Sequence, residues 1–277
     1  MKELPSLKET VEAYGLLAKK SLGQNFLLDS NITDKIVRMS LAAQKKNDFS
    51  GEDVYEVGPG PGGLTRAILK ANPQHLTVIE MDERCIQIMH DIQAVVGDKL
   101  HIIEGDALKF DFCASENTPK NIISNLPYNI SVPLLIGWLK NMPQFSSLTL
   151  MFQKEVAERI MAEPNNKNYG RISVLAQLVS KIKPLMNLNP NCFVPAPKIW
   201  STVLLFQPLE RVIAPEVLMQ VEKISELAFG QRRKMIRQSL KSLPNLEAKC
   251  LAAGVDLTMR AENITPEQYL LLAQQMI

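Results

Sequence analysis

The sequence predicts an α/β domain, a parallel sheet with helices on both faces, followed by a small all-helical domain. Short apolar runs alternate with amphipathic helical runs from residue 53 to residue 181, which is typical of a doubly wound sheet. A glycine-rich turn joins the first of these strands to its helix. Beyond a linker at 207–215 only helical patterns remain. We therefore expect one domain at residues 1–208 and a second at 209–277.

The composition is that of an ordinary globular protein. Of the 277 residues, 46% are hydrophobic and 22% are charged, and no apolar run approaches the roughly 18 residues of a membrane span. The four cysteines have no paired spacing and the three histidines no ligand pattern, so we expect reduced thiols, no metal and a cytoplasmic location. With a net charge of +2, a nucleic-acid partner must be inferred from local clusters.

The N-terminal region predicts two helices around a basic loop. The first helix covers residues 7–18, and the second is capped by Asp29 or Ser30. The apolar side of the second helix carries Ile32, Ile36, Val37 and Leu41. The loop between them, residues 19–27, has two interpretations. It is either a solvated loop with one buried phenylalanine, or a segment that closes over a ligand and presents Lys19 and Lys20 to phosphate.

The strand at 53–57 and the turn that begins at Gly58 form the first βα unit of a Rossmann-like sheet. Glycines let the backbone approach a ligand closely, and the helix N-terminus favours negative groups. Glu80 ends the next strand, about 20 positions after Gly58, the spacing at which a carboxylate reaches a ribose hydroxyl pair. In a third unit, at 100–108, Asp106 lies just past another strand and is a candidate acceptor for an adenine amine, or else a simple turn aspartate.

The segment Asn125-Leu126-Pro127-Tyr128 follows the fourth strand, at 121–124. A polar amide, a proline and an aromatic make a poor core but a good pocket edge. Carbonyl oxygens there can accept from an exocyclic amine, while Tyr128 offers a flat face for stacking. The alternative is an ordinary strand-to-helix turn, leading into a helix at 132–139.

The remaining elements complete the sheet and the helical tail. A strand at 147–152 and helices from 153 and at 170–181 precede a closing pair of strands at 182–188 and 201–206. The proline-rich loop between them, 193–198, is either a rigid connection or places Phe193 as a second aromatic wall. The tail predicts helices at 215–229, about 234–242, 245–253 and 265–276. On the second of these, Arg233, Arg237 and Lys241 would share one face, either solvated or bound to phosphate.

S-adenosylmethionine is the cofactor that these features favour. A nicotinamide cofactor accounts for the glycine turn and Glu80, but not for the motif at 125–128 or the basic tail. With S-adenosylmethionine, Glu80 would meet the ribose, Asp106 the adenine, and the turn from Gly58 the methionine part. The methyl group would then face the 125–128 pocket.

In these motifs the chain resembles the small-subunit (16S) ribosomal RNA adenine dimethyltransferases. The resemblance covers nearly the whole chain and is specific in combination. Its motifs are segments 56–60, 105–107 and 125–128, Glu80, and the proline-rich loop with Phe193, Pro195, Pro197, Lys198 and Ser201. The family usually has Val-Asp before that serine, where this chain has Ile199 and Trp200.

The resemblance implies methyl transfer from S-adenosylmethionine to N6 of two adjacent adenosines near the 3′ end of 16S rRNA, within the small ribosomal subunit. The catalytic candidates are Asn125, Leu126, Pro127, Tyr128 and Phe193. The cofactor-binding candidates are Asn25, Leu27, Gly58, Gly60, Glu80, Asp106 and Asn125. The RNA-binding candidates are Lys19, Lys20, Arg232, Arg233, Arg237 and Lys241. A monomer is the default expectation.

Several alternatives stay open at the level of sequence. A large-subunit rRNA adenine methyltransferase shares most motifs, although the proline-rich loop and the long helical tail favour the small-subunit enzyme. A DNA adenine methyltransferase would share the Asn-Pro-Tyr type of motif. An assembly factor that gates subunit maturation, with catalysis secondary, is the alternative from another class.

Overall fold

A seven-stranded sheet organises the first part of the chain in the computed structural model, which describes residues 4–16, 25–114 and 118–277. The strands of this sheet are β2 (Asp53–Val57), β3 (His75–Glu80), β4 (Leu100–Glu104), β5 (Lys120–Ser124), β6 (Ser147–Gln153), β7 (Ser180–Leu188) and β9 (Ser201–Pro208). Their order is β4-β3-β2-β5-β6-β9-β7. Strands β1 (Phe26–Leu27) and β8 (Phe193–Val194) form a separate antiparallel pair. The predicted α/β fold is confirmed.

Helices follow the strands as the hydrophobic periodicity predicts. They are α1 (Leu7–Ala13), α2 (Ser30–Ala43), α3 (Gly63–Lys70), α4 (Glu83–Val96), α5 (Tyr128–Lys140), α6 (Lys154–Met161), α7 (Arg171–Val179), α8 (Pro215–Gly230), α9 (Ile236–Ser239), α10 (Leu246–Ala252) and α11 (Pro266–Gln274). Asp29 caps α2 by accepting a hydrogen bond from the Asn31 backbone N–H. In the described part of the chain, no helix has both the length and the apolar character needed to cross a membrane.

The strand order creates a switch point between β2 and β5. The chain runs from β2 outward through β3 to β4, then returns to place β5 on the other side of β2. All four pairings, β4–β3, β3–β2, β2–β5 and β5–β6, are parallel. In open parallel sheets, ligands bind in the crevice beyond the carboxyl ends of the strands at such a switch point.

The chain divides into two compact units, neither of them contiguous. One contains residues 1–135, 144–154 and 183–207, and the other contains 136–143, 155–182 and 208–277. In the second unit, α8 and α11 pack against each other and against α7. The Phe229 ring contacts the rings of Tyr169 and Tyr269, with centroid distances of 5.9 and 6.1 Å. The contiguous division after residue 208 stays a prediction.

The predicted basic helix at about 234–242 is wrong in extent. Helix α9 covers four residues, and Met235 before it is extended, with φ −68° and ψ 154°. The backbone N–H groups of Ile236 and Arg237 donate to the carbonyls of Met259 and Leu257 instead of continuing a helix upstream. Arg233 and Lys241 both lie outside this helix, so neither shares a helical face with Arg237. Helix α1 also ends early, at Ala13; residues 17 and 18 of its predicted range lie outside the described residues.

Candidate active site

A cavity opens at the carboxyl ends of β2 and β5, where the strand order places a ligand site. Its walls come from the segment before α2, the glycine turn after β2, the end of β3 and the segment after β5. The lining residues are Asn25, Phe26, Leu27, Glu56, Gly58, Pro59, Gly60, Pro61, Gly63, Leu64, Glu80, Asn125, Leu126, Pro127 and Tyr128. Most of the predicted cofactor and catalytic residues are therefore neighbours in space.

The glycine turn is held tightly from both sides. The Gly58 N–H donates to the Ile79 carbonyl (2.9 Å), which joins the turn to β3. Gly60 has a φ of +54°, and a Cβ there would lie 2.8 Å from Cε1 of the Phe26 ring. A Cβ on Gly63, the first residue of α3, would lie 2.7 Å from the Leu27 carbonyl oxygen. Side chains at Gly60 and Gly63 are therefore excluded by the segment at 26–27.

Two carboxylates face this turn. Oε1 of Glu80 accepts hydrogen bonds from the backbone N–H groups of Met81 (2.7 Å) and Asp82 (2.9 Å). Burial raises the pKa of Glu80, while these bonds and one from the Gly60 N–H oppose the rise. Oε2 of the buried Glu56 accepts from the Thr65 hydroxyl (2.7 Å). Burial raises the pKa of Glu56 to about 8, against the effect of that bond. A cationic ligand would stabilise the charged form of both groups.

The buried Glu56 predicts a pH-dependent stability. An unfolded glutamate ionises near its ordinary pKa of 4.5, whereas Glu56 stays protonated until about pH 8 in the folded chain. Between these values the folded state binds more protons, so stability falls as pH rises, by at most about 1.4 kcal/mol per pH unit. Glu56→Gln keeps an acceptor for Thr65 and removes this contribution. Melting temperatures measured across this range should fall less steeply in Glu56→Gln than in the wild type.

The exposed Glu247→Gln provides a matched control for this prediction, because it makes the same chemical change outside the cavity. Its melting temperature should follow the wild-type curve. A Glu56→Gln variant that loses stability as steeply as the wild type would show that Glu56 is ionised in the folded protein.

The segment after β5 presents its polar groups in a fixed arrangement. The Asn125 amide nitrogen Nδ2 donates to the backbone carbonyl of Asn25 (3.0 Å), which assigns Oδ1 as the acceptor end of this side chain. The Pro127 carbonyl already accepts from Ile130 and Ser131 at the start of α5. The Leu126 carbonyl is thus a better backbone acceptor for a ligand than the Pro127 carbonyl. The Tyr128 hydroxyl lies 3.2 Å from the Ser201 hydroxyl, so β9 anchors its ring.

Two predicted site residues lie outside the lining of this cavity. Phe193 is 2% exposed and belongs to the hydrophobic core with Phe26 and Leu27; it is not among the lining residues of the cavity. Asp106 also stays outside that lining, and its carboxylate accepts from the Leu108 N–H (2.9 Å). Their substrate and cofactor roles remain predictions. Lys19 and Lys20 lie outside the described residues.

Three residues that shape the site were not among the predicted site residues. Phe26 covers Gly60, Glu56 adds a buried carboxyl, and Ser201 holds Tyr128. Glu56 could have been found, because a carboxylate inside the apolar run of β2 is unusual. The position of Phe26 depends on the β1–β8 pairing, in which Leu27 faces Phe193, and no local pattern predicts that contact. Among the described residues, no group of three or more His, Cys, Asp or Glu could hold a metal ion.

The strand order and the position of the cavity place the chain in the class of Rossmann-like α/β proteins with a ligand site at the switch point of the sheet. The family model described as "Ribosomal RNA adenine dimethylase" matches residues 15–277. The chain belongs to this family and is an rRNA adenine dimethyltransferase, so the predicted family and enzyme class are confirmed.

Individual relatives agree with this assignment. The chain is 46% identical to "Ribosomal RNA small subunit methyltransferase A" of Rhodospirillum rubrum, over 98% of this chain and 92% of the relative. It is 47% identical to the protein of that name in Azorhizobium caulinodans, again over 98% and 92%. A dimethyladenosine transferase from Plasmodium falciparum has the same fold, with a TM-score of 0.72 and 24% identity over 90% of this chain and 96% of that structure.

Proposed function

We propose that this enzyme uses S-adenosylmethionine to dimethylate N6 of two adjacent adenosines near the 3′ end of 16S rRNA. The observation that carries the proposal is the Asn125 amide, which a hydrogen bond to the Asn25 carbonyl holds beside the glycine turn. Its Oδ1 can accept a hydrogen bond from a target amine at the edge of a cleft suited to a nucleotide cofactor. The names of the relatives at 46% and 47% identity support the small subunit as the site of action.

The residues of the cleft fit this cofactor. Gly58 and Gly60 line the cleft, and a Cβ at either position would contact another lining residue, Pro127 or Phe26. Glu80 ends β3 at the position suited to a ribose, and the carboxyls of Glu56 and Glu80 suit a cationic group. When bound, the cofactor supplies an electrophilic methyl on a sulfonium. Asn25 and Leu27 border the same cleft, and Asp106 remains our candidate for the adenine amine.

The catalytic contribution of the chain is positioning. The target adenine is extruded from its stack, and the Tyr128 ring offers it a stacking face. Asn125 Oδ1 and the Leu126 carbonyl accept the two N6 hydrogens, which directs the nitrogen lone pair away from them toward the methyl donor. These acceptors also stabilise the positive charge that develops on N6 during transfer. A strong base is not required in advance, because the amine becomes acidic as it is alkylated.

The second methylation uses the same groups, but only one of the two acceptors still has an N6 hydrogen to accept. After one transfer N6 keeps one hydrogen, so one of the two carbonyl oxygens loses its partner and the other still orients the nitrogen. We propose that Asn125 Oδ1 keeps this remaining bond, because the Asn25 carbonyl fixes its amide.

Exposed cations of the second unit are our candidates for RNA phosphate contacts. Arg233, Arg237 and Lys241 are exposed, whereas Arg232 is paired with Glu262 (2.7 Å) and has a structural role as well. Lys19 and Lys20 complete the proposed set. Binding through such contacts weakens as salt rises, because each neutralised phosphate releases counterions. We further propose that the enzyme is cytoplasmic and acts as a monomer without a metal.

Methyl transfer to small ribosomal subunits that lack the modification tests the proposal. Labelled S-adenosylmethionine is the donor, and nucleosides are separated after digestion. We expect N6,N6-dimethyladenosine in 16S rRNA and no transfer to large subunits or duplex DNA. Label in another nucleoside or another RNA would overturn the substrate assignment.

A further inference from the structure

Two apolar side chains directly after the proline-rich loop are exposed instead of packing in the core. Trp200 is 46% exposed and Ile199 is 39% exposed, while the other tryptophan of the chain, Trp138, is 3% exposed. Removing large apolar surface from water is favourable, so a half-exposed tryptophan forgoes much of that gain. A ligand that packs against the Trp200 ring would account for its exposure.

The backbone of Trp200 is fixed beside the substrate pocket. Its carbonyl accepts a hydrogen bond from the Lys154 N–H (2.9 Å). The next residue, Ser201, pairs with Gln153 across β9 and β6, and its hydroxyl lies 3.2 Å from the Tyr128 hydroxyl. Trp200 thus lies one residue from the group that anchors the aromatic ring of the pocket.

Two lysines lie close to Trp200 in the chain or through a backbone hydrogen bond. Lys198, two residues before Trp200, is exposed. Lys154, whose backbone N–H donates to the Trp200 carbonyl, is exposed as well. An exposed aromatic ring in a basic neighbourhood suits single-stranded nucleic acid, because bases stack on such rings while cations hold phosphates. The apolar surface of a protein partner would be matched less well by two flanking charges.

We propose that Trp200 stacks on a nucleobase next to the adenosine held at Tyr128, and so positions the RNA strand at the pocket entrance. The proposal rests on the proposed function, since the stacked base belongs to the same rRNA substrate. Trp200 is a positioning residue, because it does not touch the reacting atoms.

Steady-state methylation of small subunits by Trp200→Ala and Trp200→Phe is the first test. Trp200→Ala should raise KM about 5- to 25-fold, which is about 1–2 kcal/mol at 1.4 kcal/mol per tenfold. Trp200→Phe should stay within about threefold of the wild type, because it retains a stacking face. S-adenosylmethionine affinity should not change in either variant. Val212→Ala, which truncates an exposed apolar residue outside the loop (72% exposed), is the matched control.

Tryptophan fluorescence provides a second test, because RNA would not quench the emission of Trp200 if this residue had a merely structural role. A single-stranded RNA oligonucleotide with two adjacent adenosines should quench the wild-type emission by stacking, and Trp200→Phe should abolish this quenching. Unchanged KM in Trp200→Ala, absence of quenching, or equal defects in the Ala and Phe variants would each overturn the proposal. The quenching does not require methyl transfer, so it decides the role of Trp200 even if subunits prove not to be the methyl acceptor.

Discussion

Asn125→Ala is expected to lower kcat for methyl transfer by about 10²- to 10³-fold, the usual effect of removing one preorganised hydrogen-bonding group that acts in the transition state. The substitution removes the only side-chain acceptor that we assign to the target amine. It also removes the bond from Nδ2 to the Asn25 carbonyl, which holds one wall of the cleft. The rate would be measured in single turnover on unmethylated subunits, so that product release does not mask the chemical step.

Binding should survive this substitution, because Asn125 is not among the residues that we propose hold RNA phosphates. We expect Asn125→Ala to bind small subunits within about threefold of the wild type, and Asn47→Ala, an exposed asparagine in a loop, to retain both activity and binding. Asn125→Asp keeps an acceptor oxygen but cannot donate to Asn25, so its rate should lie between those of the wild type and Asn125→Ala. Loss of all subunit binding in Asn125→Ala would contradict the assignment of this residue to chemistry.

The same variant separates the two roles that the sequence left open. A protein that chiefly gates subunit maturation would retain that activity when methylation is lost. Complementation of a strain lacking the enzyme, scored by subunit profiles in the absence of dimethyladenosine, would show which role the cell requires.

Local patterns predicted the sheet because each βα unit carries its own signals. Strand ends, the glycine turn and Asp29 as a cap can all be read within about ten residues, and their observed positions differ little from those predicted. The proximity of Gly58 and Asn125 followed from topology, because carboxyl ends of neighbouring parallel strands meet at one edge. A Cβ on Gly58 would lie 3.5 Å from Cδ of Pro127, which shows how closely these turns approach.

Long-range contacts account for what the sequence did not predict. Phe193 pairs with Leu27 and packs in the core, a contact that the proline-rich loop does not reveal in the sequence, while its role beside the substrate stays a prediction. The basic run at 233–241 has good helical spacing, yet its backbone bonds to residues 257 and 259 interrupt the helix. In both places a partner distant in sequence outweighs local preference, which single-sequence patterns cannot reveal.

Gly60→Ala is expected to weaken S-adenosylmethionine binding at least tenfold and to lower the melting temperature of the enzyme. At a φ of +54°, an alanine carries a left-handed strain of about 1–2 kcal/mol. Its Cβ would also lie 2.8 and 2.9 Å from two carbons of the Phe26 ring, and overpacking of this kind costs about 1–3 kcal/mol. Since the Gly60 N–H helps to lower the pKa of Glu80, a shift of the turn changes the surroundings of the proposed ribose acceptor.

Gly51→Ala separates backbone strain from steric overlap. Gly51 has a φ of +75° with open space around its Cβ position, so it carries the strain alone and should bind the cofactor normally. Calorimetric titration with S-adenosylmethionine and thermal unfolding would be run on both variants. A Gly60→Ala variant no worse than Gly51→Ala would mean that Phe26 does not restrict the turn.

Phe26→Leu in the Gly60→Ala background tests the steric contribution directly. Removing ring atoms relieves the overlap but leaves the strain at residue 60. The double variant should therefore be less destabilised than the sum of the two single variants, because residues in contact show coupling energies of about 0.5–3 kcal/mol. Phe26 is 8% exposed, so Phe26→Leu alone should cost stability. Simple additivity would instead assign the whole Gly60→Ala effect to the backbone of the turn.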